Sequence, residues 1–276
     1  MESSRLSATL KGLGKMMLLS RPASLRKDRA NKGRTLVVMG NGPSLRTVID
    51  EHADFLAQND TLAVNFAANA PEFRQLKPKY YVMADPFFFG DDYSHDNLRM
   101  LHSSLAAVDW PMTLIVPVKF AGRIPAQVLG NSHITVRTMN DVGVEGFGWF
   151  RRLAYGSRLA MPRPRNVLIA SIMAGIWLGY GKLVIVGADH SWMQTIRVDD
   201  RNRVVSVQPH FYNDSKAEQK RVDTAYAGYR LHQIVYSFYV AFSSYHLIAD
   251  FARHRGVEIV NATPDSYIDA FERIRR

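Results

Sequence analysis

Leu36-Val37-Val38-Met39-Gly40-Asn41-Gly42-Pro43-Ser44-Leu45 reads as a strand, a tight turn and the start of a helix. Four consecutive apolar residues fit a strand covered on both faces. Gly40 and Gly42 let the backbone turn sharply and come close to a ligand. Pro43 suits a first helical position, where its missing N–H costs nothing, and Ser44 keeps the helix start polar. Free N–H groups at this helix start and the positive end of its dipole suit a phosphate. A dinucleotide fingerprint would have a small residue at 45 and an acid at the end of the second strand. This chain has Leu45 and Asn65 there, which counts against NAD or FAD. A plain βα turn is the bland alternative. The Pro-Ser pair tips the reading towards a nucleotide loop made of Gly40, Asn41, Gly42, Pro43 and Ser44.

Outward from this loop, short β-rich runs alternate with helical stretches. Strands are expected at 35–39, 61–65, 80–84, 113–118, 134–138, 183–186 and 257–260. Most are continuous apolar runs, as in central strands of a parallel sheet. Helices are expected at 44–57, 167–179 and 217–253. The alternation predicts an α/β fold with a doubly wound, mostly parallel, Rossmann-like sheet. Ligands of such sheets sit at the carboxyl ends of the strands. Residues 140–165 and 190–216 lack clear periodicity and read as inserted, lid-like segments, with Asp199-Asp200-Arg201-Asn202 as a turn. One domain over 35–276 is the simplest organisation.

The 276 residues carry a net charge of +10, unevenly spread. Nine Lys or Arg against Glu2 and Asp28 give residues 1–34 a charge of +7, leaving +3 for the rest. The high pI therefore belongs to an N-terminal arm, and a nucleic-acid binder is not expected. In that arm Leu6, Leu10, Leu13 and Met17 recur at helical spacing, with Lys11 and Lys15 between them. Such a helix can lie on an anionic membrane surface, or dock on the protein itself, or fray. It is too short in apolar run to span a bilayer or to form a cleaved signal. The absence of cysteine removes disulfides and thiolate chemistry, and suits a cytoplasmic protein, peripheral on the inner membrane face if the arm binds lipid.

Gly40-Asn41-Gly42-Pro43-Ser44-Leu45 after the first strand resembles glycosyltransferase family 42, the bacterial sialyltransferases, and the related MptE-like (DUF115) proteins. The likeness continues, in the family's order, through Asn65 in Ala63-Val64-Asn65-Phe66 and through Asn166–Tyr180. Val186-Gly187-Ala188-Asp189, Gln208-Pro209-His210-Phe211-Tyr212 and Val257–Phe271 follow. The resemblance implies a GT-A-like variant of the fold, a CMP-activated sugar donor, inverting transfer to a glycan or lipid-linked glycan acceptor, and no metal or other cofactor. It implies His210 as the base on the acceptor hydroxyl, a role its near-neutral reference pKa suits. Asn65 and Asp189 would hold nucleotide hydroxyls or amines. Arg163 or Arg165 would meet the donor's carboxylate or phosphate. The family has a tyrosine two residues after the Gly-x-Asp aspartate. Here that position is Ser191, so His190 is the candidate to assist the leaving phosphate, and the donor is an acidic sugar of the sialic-acid type or another of eight or nine carbons.

Two rivals stand beside this reading. A pterin-type pyrophosphokinase would need ATP and Mg²⁺ carboxylates, for which Asp91-Asp92 and Asp199-Asp200 are the acidic pairs, though turn residues read more simply. A non-catalytic nucleotide-binding module would need only the loop.

Overall fold

In the computed structural model, residues 2–90, 96–206, 211 and 227–274 are described. The strands are β1 (Thr35–Met39), β2 (Asp60–Val64), β3 (Tyr80–Val82), β4 (Met112–Pro117), β5 (Ile134–Met139), β6 (Lys182–Val186), β7 (Arg197–Val198), β8 (Val204–Val205), β9 (Glu258–Asn261) and β10 (Glu272–Arg273). Eight of them form one sheet in the order β10-β9-β6-β1-β2-β3-β4-β5, and every pairing in it is parallel. β7 and β8 make a separate antiparallel hairpin around Asp199–Asn202, with the Asp199 amide donating to the Arg203 carbonyl at 2.9 Å.

The apolar runs are explained by burial on both faces. Leu36 and Val38 of β1 point into one core cluster, Val37 and Met39 into another on the opposite side. The helices are α1 (Glu2–Leu19), α2 (Leu45–Glu51), α3 (Ala53–Ala57), α4 (Phe73–Leu76), α5 (Asp96–Ala106), α6 (Ala126–Leu129), α7 (Gly148–Gly156), α8 (Val167–Leu178), α9 (Trp192–Thr195) and α10 (Leu231–Arg255). Eleven of the twelve α8 residues are buried, which fits a helix apolar on all sides. Gly175 is what lets α8 lie so near the sheet: a Cβ there would stand 2.7 Å from Leu183 Cδ2 and 2.9 Å from Leu36 Cδ2.

Differences from the sequence reading are local. The helix expected over 44–57 is split at His52, whose φ of −129° and ψ of 32° leave the helical region. The helix expected from 217 is seen from Leu231 to Arg255; residues 217–226 lie outside the described residues. The 140–165 stretch, read as lid-like, contributes Phe150, Tyr155, Ala160 and Met161 to the core beneath α7 and α8.

The arm packs on the body. On α1, Thr9 Oγ1 accepts the Phe147 amide at 3.0 Å, and a Cβ at Gly12 would meet Phe150 Cε1 at 2.8 Å. Beyond the helix, the Ser20 hydroxyl donates to the Leu159 carbonyl at 2.7 Å. Further on, the Leu25 amide donates to the Thr138 carbonyl at 2.9 Å, and the Thr138 amide to Ser24 Oγ at 2.8 Å, so the arm runs beside β5. No helix among the described residues is long and apolar enough to cross a membrane.

Candidate functional site

Strand order reverses at β1, while all strands of the sheet keep one direction. Strands β2 to β5 extend from one side of it and β6, β9 and β10 from the other. The carboxyl ends of β1 and β6 therefore form the switch point of the sheet, where open α/β sheets bind their ligands.

The two loops at that point are joined directly. The Gly40 amide donates to the Val186 carbonyl and the Gly42 amide to the Gly187 carbonyl, both at 2.8 Å. A Cβ at Gly40 would lie 2.3 Å from the Gly187 oxygen, and one at Gly42 would lie 1.9 Å from Asp189 Oδ2. Both glycines are thus required by the neighbouring loop. Asp189 accepts the Ser44 hydroxyl at 2.8 Å and the Ser44 amide at 3.3 Å.

The backbone groups at 43–45, expected to hold a phosphate, are engaged within the two loops. Pro43 has no N–H, the Ser44 amide serves Asp189, and the Leu45 amide donates to the Gly42 carbonyl at 3.0 Å. A carboxylate already occupies the helix start, and its charge repels a second anion. Pro43 also precedes the cap residue Ser44 rather than occupying the first helical position. Asp189 is thus a hydrogen-bond partner of this loop.

Asn41 and Asn65 stand at the neighbouring strand end. Asn41 Nδ2 donates to the Val64 carbonyl at 3.1 Å, tying the loop to the end of β2. The Asn41 carbonyl accepts the Phe211 amide at 3.1 Å, and Arg46 Nη2 donates to the Phe211 carbonyl at 3.3 Å. Phe211 thus packs against the loop, while His210 lies outside the described residues. Asn65 has a φ of 51°, a left-handed conformation that asparagine tolerates better than most residues. The Tyr81 hydroxyl donates to its carbonyl. Its side-chain Oδ1 is buried and has no hydrogen-bond partner among the described residues.

His190 is placed differently from its expected role. It is buried, with Nε2 2.6 Å from the Tyr245 hydroxyl, and its ring lies 4.2 Å from Trp192. The Tyr245 hydroxyl donates to Asn166 Oδ1 at 3.0 Å. Asn166 Nδ2 lies 3.5 Å from the same His190 Nε2, so His190, Tyr245 and Asn166 form one polar cluster. Burial pushes the His190 pKa down to about 3 and the Tyr245 pKa up, so both are neutral near pH 7. A neutral imidazole enclosed by Tyr245, Trp192 and Asn166 packs behind the loop.

Arg163 Nη2 donates to Glu145 Oε2 at 2.9 Å, and the Arg163 carbonyl accepts the Ser244 hydroxyl at 3.1 Å. Burial lowers the Arg163 pKa, but hydrogen bonding to Tyr236 and the Glu145 charge outweigh it, so the pKa is raised. Arg165 is exposed and takes part in no ion pair among the described residues. Asp199 Oδ1 accepts the amides of Arg201 and Arg203, as in a turn, and Asp91-Asp92 lie outside the described residues. Among the described residues no group of three or more His, Cys, Asp or Glu is arranged to hold a metal ion.

The sequence reading passed over Thr263 and Ser266. Thr263 Oγ1 accepts the Ala188 amide at 3.1 Å and the Ser266 hydroxyl donates to the Ala188 carbonyl at 2.7 Å, clamping the β6 loop from the β9 side. It also passed over Tyr245 as a site neighbour. Asn166 carried a readable signal: an Asn before an apolar helix is a cap, and its side chain accepts the Ile169 amide at 3.1 Å.

No protein-family model matches the chain, and no curated protein matches it. Among solved structures it is similar to the MAf glycosyltransferase from Magnetospirillum magneticum AMB-1, with a TM-score of 0.53 and 11% sequence identity. The likeness covers 97% of this chain and 38% of that one, so this chain spans well under half of that protein. At this identity what is shared is the fold, a parallel Rossmann-like α/β sheet flanked by helices.

Proposed function

We propose that the protein transfers a sugar from a nucleotide-sugar donor to a glycan or lipid-linked glycan. The observation that carries the reading is Asn65 Oδ1, a buried acceptor without a hydrogen-bond partner among the described residues, at a strand end beside the switch point. A buried acceptor left unpaired costs about 1–3 kcal/mol, and a nucleotide amine or hydroxyl would remove that cost. The fold likeness to a protein named as a glycosyltransferase supports the same class. In the finer form of the proposal the donor is a CMP-linked acidic sugar of the sialic-acid type, transfer is inverting, and no metal takes part. His210 is the base on the acceptor hydroxyl, and the exposed Arg165 meets the donor's acidic group.

The test is calorimetric titration of CMP, a CMP-sugar, and ATP with Mg²⁺ into the parent and Asn65→Gly. Glycine keeps the left-handed backbone and removes the amide. The expected result is CMP binding weakened about tenfold in Asn65→Gly, as for loss of one hydrogen bond at the upper end of its usual worth. Equal CMP affinity in the two proteins would remove Asn65 from the site. Binding of ATP with Mg²⁺ in place of CMP would move the pyrophosphokinase reading ahead.

A further inference from the structure

The stripe noticed in the arm faces outwards, although the helix that bears it is docked. α1 touches the body through Thr9, Gly12 and Met16. Leu6, Leu10, Leu13 and Met17 stay exposed, Met17 to 77%. Contacts run in step along α1 and the 146–159 segment, Thr9 with Phe147, Gly12 with Phe150 and Ser20 with Leu159. α7 therefore lies alongside α1, and it presents Trp149 and Leu153, each 65% exposed, next to Phe150. Isolated exposed apolar residues are ordinary; two adjacent helices with their large apolar residues outward are an interaction surface.

Charge decides what meets it. After Glu2, α1 has no acidic residue and carries Arg5, Lys11 and Lys15, while α7 has Arg151 and Arg152 and no acid. The latter two pair with Asp250. Where the α1 end meets Leu159, the preceding residue Arg158 lines a cavity together with Lys27, Lys32 and Arg255. None of these four takes part in an ion pair among the described residues; the one acid beside Lys27, Asp28, caps the Ala30 amide. Two copies of this surface meeting face to face would bring like charges together. An apolar stripe beside unneutralised cations instead matches the boundary of an anionic bilayer, acyl chains against the stripe and phosphates against the cations.

We infer that the α1–α7 face docks on an anionic lipid bilayer, with the Lys27, Lys32, Arg158 and Arg255 cavity engaging headgroup phosphates. This inference is independent of the reaction proposed above.

The experiment is co-sedimentation of the full chain with phosphatidylcholine vesicles with and without phosphatidylglycerol. The parent should bind only the anionic vesicles, and added salt should weaken binding. L10E/M17E and K27E/K32E change exposed positions, so circular dichroism and Tm should stay parental. Each pair should weaken binding about tenfold or more. Trp149 emission should shift to the blue on anionic vesicles, and W149F should lose that part of the shift. Parental vesicle binding by both double variants would overturn the inference. So would a lipid-free dimer that L10E/M17E dissolves, which would make the face a self-association surface. Protection by inorganic phosphate with no vesicle binding would overturn it as well, leaving only a site for a free anion.

Discussion

The carboxylate of Asp189 occupies the space that a side chain at residue 42 would need, since a Cβ on Gly42 would sit 1.9 Å from Asp189 Oδ2. The glycine and the aspartate are 147 positions apart in sequence and form one joint between the β1 and β6 loops. Gly42→Ala should destabilise the fold by roughly 1–3 kcal/mol, as overpacking does. Asp189→Gly in the same chain should return part of that loss, but not all, because the Gly187 oxygen would still lie 2.8 Å from the new Cβ. Urea unfolding of the two single variants and the double variant measures the coupling. Strictly additive losses would mean the two residues do not share the joint.

Stability should depend on pH through His190. Its folded pKa is pushed down to about 3 by burial, against an ordinary value of 6.5. Below pH 6.5 the unfolded chain takes up a proton that the folded chain refuses, so stability falls as pH drops towards 3 and is complete above 6.5. At pH 5 this one group should remove about 2 kcal/mol. His190→Asn suits the left-handed backbone there, where φ is 53°, and cannot titrate. Unfolding free energies of parent and variant at pH 7 and pH 5 should differ in slope by that amount. Parallel slopes would show that the buried imidazole titrates normally.

For the proposed base, His210→Ala should reduce transfer by roughly 10²- to 10⁴-fold while CMP affinity changes little, because the base acts on the acceptor. Asn65→Gly should do the reverse, raising the donor KM more than it lowers kcat. Near-parental turnover in His210→Ala would remove the base assignment.

Transfer should also persist after treatment with EDTA. Loss of activity with EDTA and its return with Mg²⁺ or Mn²⁺ would favour an ATP-dependent pyrophosphokinase or a metal-dependent transferase. The reading of Asp199 as a turn residue would then need re-examination through Asp199→Asn.

What the chain revealed in advance follows from how far each signal reaches. β1, β4 and β6 are apolar on both faces, so their runs stand out with no knowledge of neighbours. β10 is two charged residues, Glu272 and Arg273, ordered by pairing with Val260 and Asn261, and nothing local marks it. α5 was legible and passed over: Leu98, Leu101, His102 and Leu105 recur at helical spacing and are all buried. At the site, the glycines of the β1 loop marked a place of close approach to a ligand, and in the fold they also meet a partner within the protein. That partner is Asp189, whose position depends on β6 lying beside β1. The burial of His190 likewise depends on Tyr245 of α10, 55 positions away.

The strip of arm beside β5 has a consequence for any shortened form of the protein. β5 is the last strand of its sheet, and the bonds from Ser24 and Leu25 to Thr138 occupy part of its outer edge. Trimming residues 1–32 would strip more than α1. It would bare the Thr138 amide and carbonyl at that edge, a place where a second chain can add a strand. A truncated protein is expected to precipitate or pair edge to edge, so the arm serves as a selvedge that keeps the sheet from being extended.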